Sequence, residues 1–356
     1  MKLNLSPIDL KKVEKIIETK EINISISDMF FYLFDRPDIF NATNVNKLIA
    51  KQKITIEEAL LDLAIDLWEI DTDNKENKKI IGEYIKGQFI ELDYKKIIEN
   101  PYYKSIKLDE INLKDVKIEN LSFKPYEIIP VDDITVEKDC YFKEKTKLGY
   151  FKKELPYIAI SKKDTIWMSI TPSEIDSMEK EINEASGKVI TFGLGLGYYA
   201  YMVSLKDDVS EVKIVEKDKE IIKLFLNYIL PQFEYKEKIK VIEDDAFNYL
   251  TKNEMNSDYA YFDLWHSPND GLPMYLKIKE YENRYPHTKF TYWLKESILA
   301  LYRRMKITLL EESLMGYQDK DYLKAKNEED RLINELYFKT KNIPINNFED
   351  VIAFLK

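Results

Sequence analysis

The chain has 356 residues, 45% of them hydrophobic, and 54 basic against 64 acidic side chains give a net charge of −10. Such a length can bury one large core plus a smaller one, while the acidic balance, with no segregated basic patch, makes nucleic acid an unlikely partner. No run approaches the ~18 consecutive apolar residues of a membrane span, and the single cysteine, Cys140, excludes an internal disulfide or a cysteine-based zinc site. The expectation is a soluble, cytoplasmic protein with no membrane partner and no metal, in which Cys140 serves as a small, partly buried hydrophobe.

From Ser6 to about Asn100 apolar residues recur at helical spacing, with starts at Ser6-Pro7 and at Thr55, where Thr55 and Glu58 have capping-box spacing. Residues 1–110 are read as a helical amino-terminal domain. A helix-turn-helix reader is the alternative for "NVNKLIAKQKITIEEALLDLAIDLW", and the acidic charge favours a plain scaffold. Residues 111–170 change to short β-rich runs, "YEIIPV", "YIAIS" and "TIWMSI", and read as a β-containing connector. "NPYY" at Asn100 to Tyr103 reads as a turn. In "WMSITPSEI", Thr171 as cap, Pro172 at the first helical position and Glu174 three residues on mark a helix start. Trp167, Met168 and Thr171 are candidates for one wall of a pocket.

From residue 171 strands and helices alternate, the order that builds a parallel sheet covered on both faces, and the last fifty or so residues return to helical periodicity. "KVITF" is a strand, Gly193, Gly195 and Gly197 form a bare turn, and "YYAYMVSL" opens a helix. Backbone without Cβ atoms lets a ligand approach closely, and the N–H groups of such a junction can point at it. A second strand ends at Glu216, an acid able to accept from two ribose hydroxyls. A third runs into Asp244-Asp245-Ala246, and a fourth, "DYAYF", ends at Asp263-Leu264-Trp265-His266. Polar groups thus collect at the carboxyl ends of the strands, where open α/β sheets bind ligands.

This series, from about Lys188 to Asp263, resembles the class I S-adenosylmethionine-dependent methyltransferase superfamily, including its spermidine synthase-like branch. The resemblance implies a Rossmann-like fold with a helical carboxyl-terminal extension, covering residues 171–356, and S-adenosylmethionine as cofactor. Its glycine loop, here Gly193, Gly195 and Gly197, would lie against the methionine part, Glu216 would hold the ribose, and Asp245 with Ala246 would read adenine. Two departures stand out. The family acid two residues before the first glycine is Thr191 here, and the mostly helical tail implies that the family's terminal antiparallel strands are short or missing.

The acceptor chemistry is expected where the fourth strand ends. Asp263, Asp270 and Gly271 loosely follow the spermidine synthase loop, and His266 is of the residue type most often used as a general base. His287 lacks a motif and reads as surface. The expected activity is methyl transfer to a small-molecule or protein acceptor, with Asp263, His266 and Asp270 as catalytic candidates. Aminopropyl transfer to an amine is the alternative. An NAD-binding oxidoreductase stays open because Gly195-Leu-Gly197-Tyr-Tyr-Ala200 also satisfies GxGxxA, as does a non-catalytic nucleotide-binding module. Whether the first domain selects the acceptor or makes a homodimer is open as well.

Overall fold

The computed structural model describes residues 2–108, 112–113, 116–162, 165–252 and 255–356, so the domain boundary expected at residue 110 lies outside the described residues. The chain opens on a long helix, α1 (Pro7–Phe34), started by Ser6, whose side chain accepts from the Asp9 N–H, and by Pro7 in the first turn. Two shorter helices follow, α2 (Ala42–Gln52) and α3 (Ile56–Leu67), the latter held by the expected Thr55–Glu58 capping box. The far half of α1 (Ile26, Phe30, Leu33) packs with Val45 of α2 and Leu60 of α3, while its near half (Val13, Ile16) packs on carboxyl-terminal residues including Leu310 and Val351. A five-residue helix, α4 (Pro101–Ser105), capped by Asn100, takes the place of the expected "NPYY" turn.

The connector contains β1 (Val116–Phe123), β2 (Leu155–Lys162) and β3 (Thr165–Ser169), an antiparallel sheet extended by Asn112–Leu113. β3 pairs with β2 through a register shift between Ile166 and Met168, which leaves Trp167 as the extra residue. Such a bulge re-aims a side chain, here Trp167. Cys140, expected to be partly buried, is exposed in this region.

Helix α5 (Pro172–Glu184) leads into a five-stranded sheet, all of it parallel. In chain order its elements are β4 (Gly187–Phe192), α6 (Tyr198–Ser204), β5 (Val209–Glu216), α7 (Lys219–Leu224), β6 (Ile239–Glu243), α8 (Ala246–Lys252), β7 (Tyr259–Phe262), α9 (Pro268–Glu282) and β8 (Lys289–Tyr292). The spatial order is β6-β5-β4-β7-β8. Alternate residues of each strand serve opposite faces. Val189, Val212, Ile214 and Tyr261 pack with α5, α6 and α7, whereas Ile190, Phe192, Val215 and Phe262 pack with α8, α9 and α10 (Lys295–Leu314). The strands are therefore buried on both sides, which explains their β-branched and aromatic composition. Helices α11 (Glu328–Thr340) and α12 (Phe348–Leu355) complete the chain.

The expected α/β class with a parallel sheet is present, and the sheet stops at β8. Among the described residues no antiparallel strand extends it, and no helix is long and apolar enough to cross a membrane. The order in which strands are added reverses at β4, with β5 and β6 on one side and β7 and β8 on the other, so the carboxyl ends of β4 and β7 form the crevice in which a doubly wound sheet offers a ligand site.

Candidate active site at the strand reversal

A cavity of about 690 Å³ opens over this crevice, lined by the glycine loop, Glu216, Asp244 to Phe247, and Asp263 to His266. From outside the sheet, Ile166 to Ile170 and Glu174 close it. Its size falls within the ~300–1,000 Å³ of small-ligand sites. Among the described residues no group of His, Cys, Asp or Glu has the arrangement of a metal site.

Why the loop is bare has two answers. Gly193, Gly195 and Gly197 all have positive φ, at 100°, 53° and 75°, a region L side chains rarely adopt. A Cβ on Gly193 would stand 2.0 Å from the Asp263 carbonyl oxygen, and one on Gly197 would stand 2.6 Å from the Phe225 ring. Those two glycines are required by packing. A Cβ on Gly195 would meet only the Met168 sulfur, at 3.8 Å, so Gly195 is the glycine that opens onto the cavity. Neither the Gly195 nor the Leu196 N–H has a hydrogen-bond partner among the described residues.

Glu216 stands at the end of β5 beside this loop. One carboxylate oxygen accepts from the Leu194 N–H at 3.1 Å, and the other accepts from Lys217 and Asp218 N–H groups at 2.7 and 2.8 Å. Three of its roughly four acceptor positions are thereby used, which fixes the side chain and the loop to one another. Asp245 and Ala246 line the cavity at the end of β6. Asp245 also caps α8 by accepting from Phe247 and Asn248 N–H groups at 2.9 and 3.2 Å.

Asp263 follows β7 directly, and its N–H donates to the Phe192 carbonyl at 2.9 Å, holding the two strand ends together. Its carboxyl lines the cavity without a hydrogen-bond or ion-pair partner among the described residues. Burial, with the Glu216 carboxylate as a further cause, pushes it up to about 7. Glu174 lies on the same cavity wall. Burial, and then the charge of Asp263, push its carboxyl up to about 8. The expected capping arrangement is only half formed here: Thr171 accepts from the Glu174 N–H at 3.4 Å, while the Glu174 side chain makes no return bond and is free to face the cavity.

His266 lines the rim, exposed, and its Nε2 accepts from the Trp167 indole N–H at 3.2 Å. The bulge thus ties the connector to the loop after β7. Lys162, paired with Asp218 at 2.7 Å, sits 4.3 Å above the Trp167 ring and braces it from the other side. Met168 lines the cavity as expected, whereas Thr171 only caps its helix. Asp270 is not brought to the cavity. Its oxygens accept from the His266 and Ser267 N–H groups at 2.9 and 2.7 Å and close a capping box on α9, so it shapes the loop instead of facing a substrate. Gly271, beside it, packs against Trp265. His287 is exposed, as expected.

Further residues that shape the site lie outside the expected set. Tyr102, fully buried on α4, donates to the Leu196 carbonyl at 2.6 Å, and Asn100 donates to the Tyr198 hydroxyl at 3.0 Å. The "NPYY" segment therefore buttresses the glycine loop from behind. Thr191, two residues before the first glycine, is buried and donates to the Gly193 carbonyl at 3.3 Å.

No protein-family model matches the chain, and no curated protein matches it. Among solved structures, the spermidine synthase from Thermotoga maritima is similar at 16% identity and a TM-score of 0.24, over 34% of this chain and 48% of that one. A spermidine synthase in complex with the transition-state analogue AdoDATO is similar at 16% identity and a TM-score of 0.24, over 31% of this chain and 43% of that one. The chain thus matches less than half the length of either.

Proposed function

We propose that the protein is an alkyl transferase using S-adenosylmethionine or a close relative, with methyl transfer as the first reading. The observation that carries it is the arrangement around the loop: Gly195 with two unpartnered N–H groups opens onto the cavity, Glu216 flanks it at one end, and Asp263 stands at the other. These residues fit the cofactor: Gly195 leaves room for close approach, Glu216 keeps an acceptor position for the ribose, and Asp245 with Ala246 offers an acceptor and an N–H to adenine. The cofactor supplies an electrophilic alkyl carbon on its sulfonium.

The chain's own contribution is to align an acceptor with that carbon, exclude water and take the acceptor's proton. Asp263 is the better-placed base, because its carboxyl lacks a partner and titrates at about 7, whereas His266 Nε2 is engaged by Trp167. Trp167, Met168 and Trp265 supply the apolar wall that keeps the reacting centre dry.

One observation favours aminopropyl transfer as a second reading. The Glu174–Asp263 wall has two carboxyl groups, and the only lysine or arginine lining the cavity, among the described residues, is Lys217 beside Glu216. A donor without its own carboxylate suits such a wall. Incubation with S-adenosylmethionine labelled in the methyl group, or with its decarboxylated form labelled in the propyl chain, against a panel of amine, hydroxyl and protein acceptors, tests both. Transfer of neither label to any acceptor would refute the transferase reading.

A further inference from the structure

Helix α10 packs with the sheet through Ile298, Met305 and Leu309, and with α1 and α12 through Ile307 and Leu310. Within that span it carries three cations in four residues, Arg303, Arg304 and Lys306. Arg304 has a counter-charge. Its Nη2 and, at 3.2 Å, its Nε donate to the two oxygens of Glu144, a buried acid on the hairpin formed by Thr135–Glu137 and Lys143–Lys145. Arg303 has none. The residue is only 7% exposed, and its Nε and Nη1 are buried without a hydrogen-bond partner. Its guanidinium lies 4.9 Å from the centre of the Phe142 ring. The acids that act on it from a distance are Glu144, already spent on Arg304, and Glu296, which is exposed.

Lys306 stands three residues on, a neighbour of Arg303 on the helix surface. Its Nζ meets the rings of Tyr302 at 4.7 Å and Phe354 at 5.6 Å. Neither Arg303 nor Lys306 makes a hydrogen bond or ion pair among the described residues. Phe142 and Phe354 belong to one apolar cluster with Val13, Ile16, Ile307 and Leu310, so the two cations border the same dry region. Burial holds both below their ordinary pKa, and at Lys306 the charge of Arg303 adds to it. Aromatic faces offset only part of the cost of burying a charge. Three cations around one buried carboxylate leave an excess that an anion shared by Arg303 and Lys306 would remove.

The surroundings narrow the kind of anion. Rings and aliphatic side chains offer nothing to a hydration shell, and a dianion such as phosphate or sulfate loses far more hydration energy than a monovalent ion on entering them. Neither side chain lines the large cavity, so a bulky ligand of that site does not reach them. We propose that Arg303 and Lys306 form a seat for one small monovalent anion, which ties α10 to the hairpin and to α12. Two sources carry that chemistry, a halide such as chloride and a small carboxylate such as formate. The seat is independent of the transferase reading.

The test is the melting temperature of the full-length protein at constant ionic strength, with sodium gluconate, whose anion is too large for the seat, replaced stepwise by sodium chloride, sodium formate or sodium sulfate. The expected result is a saturable rise with chloride or formate, of about 2 °C or more once the ion exceeds its dissociation constant about tenfold. A rise with chloride alone identifies a halide, and one with formate alone a carboxylate. Arg303→Met should abolish the rise and Lys306→Met should weaken it; the second variant, on a less buried side chain, keeps the test open should the first fail to fold. The proposal is overturned if neither chloride nor formate raises the melting temperature over gluconate, or if the rise is as large in a folded variant as in the unaltered protein. A rise with sulfate alone overturns it as well, since that is general exclusion of the salt from the protein surface.

Discussion

Gly195→Ala separates a ligand-facing glycine from its two packing neighbours. Its new Cβ would meet only the Met168 sulfur, at 3.8 Å, so the folded chain tolerates it apart from the left-handed backbone at φ 53°. That backbone costs a non-glycine residue about 1–2 kcal/mol, partly offset by the lower freedom of alanine in the unfolded chain. A net loss of about 1 kcal/mol lowers the melting temperature by about 2 °C in a chain of this size. The added methyl nevertheless projects toward the cavity, and overpacking a ligand's approach costs about 1–3 kcal/mol, or roughly 5- to 150-fold in affinity. Gly193→Ala is the contrast: its Cβ would stand 2.0 Å from the Asp263 backbone oxygen, which cannot move without parting β4 from β7. A loss of about 4 kcal/mol or more is expected. Differential scanning fluorimetry measures the first quantity and calorimetry with S-adenosylhomocysteine the second. If Gly195→Ala binds as tightly as the unaltered protein, the loop does not face the ligand and the placement of the site is wrong.

Glu216→Ala should weaken S-adenosylhomocysteine binding by about 100-fold and also lower the melting temperature, because three N–H groups lose their acceptor; an unchanged affinity in calorimetry would contradict its role. Tyr102→Phe should destabilise the protein by about 1–2 kcal/mol in urea unfolding, since the buried Leu196 carbonyl loses its donor. Asp263 and Glu174 hold protons more tightly folded than unfolded, their carboxyls rising from 3.8 to about 7 and from 4.5 to about 8. Their contribution to stability is therefore full in acid and is lost as pH rises through those values. Melting temperatures measured from pH 5 to pH 9 should fall less steeply in Asp263→Asn and Glu174→Gln than in the unaltered protein, and parallel curves would contradict the assignment.

Much of the carboxyl-terminal sheet is legible in the sequence because both faces of each strand are buried, so short β-branched and aromatic runs such as Val189 to Phe192 and Val212 to Val215 have few other readings. The residues at the strand ends follow from that register. Glu174 was hidden by a local explanation. The Thr171–Glu174 spacing satisfies a capping-box pattern, and only the packing of α5 over the end of β7 turns the carboxyl into the cavity. Asp270 shows the reverse case. An acid in the loop after the fourth strand attracts a catalytic reading, while Ser267 three residues before it is the capping signal that wins in the structure. Tyr102 was illegible for a third reason, since its partner, the Leu196 carbonyl, lies far along the chain and nothing local announces the contact.

Calorimetric titration of the unaltered full-length protein with S-adenosylhomocysteine and, separately, with NAD addresses the central claim most directly. Glu216 beside a glycine loop suits the ribose of either compound, but Asp263, which ionises above about pH 7, should oppose a pyrophosphate on the same cavity wall. The account predicts saturable binding of S-adenosylhomocysteine at one site per chain and none of NAD at the same concentrations. Binding of NAD without binding of S-adenosylhomocysteine would contradict it.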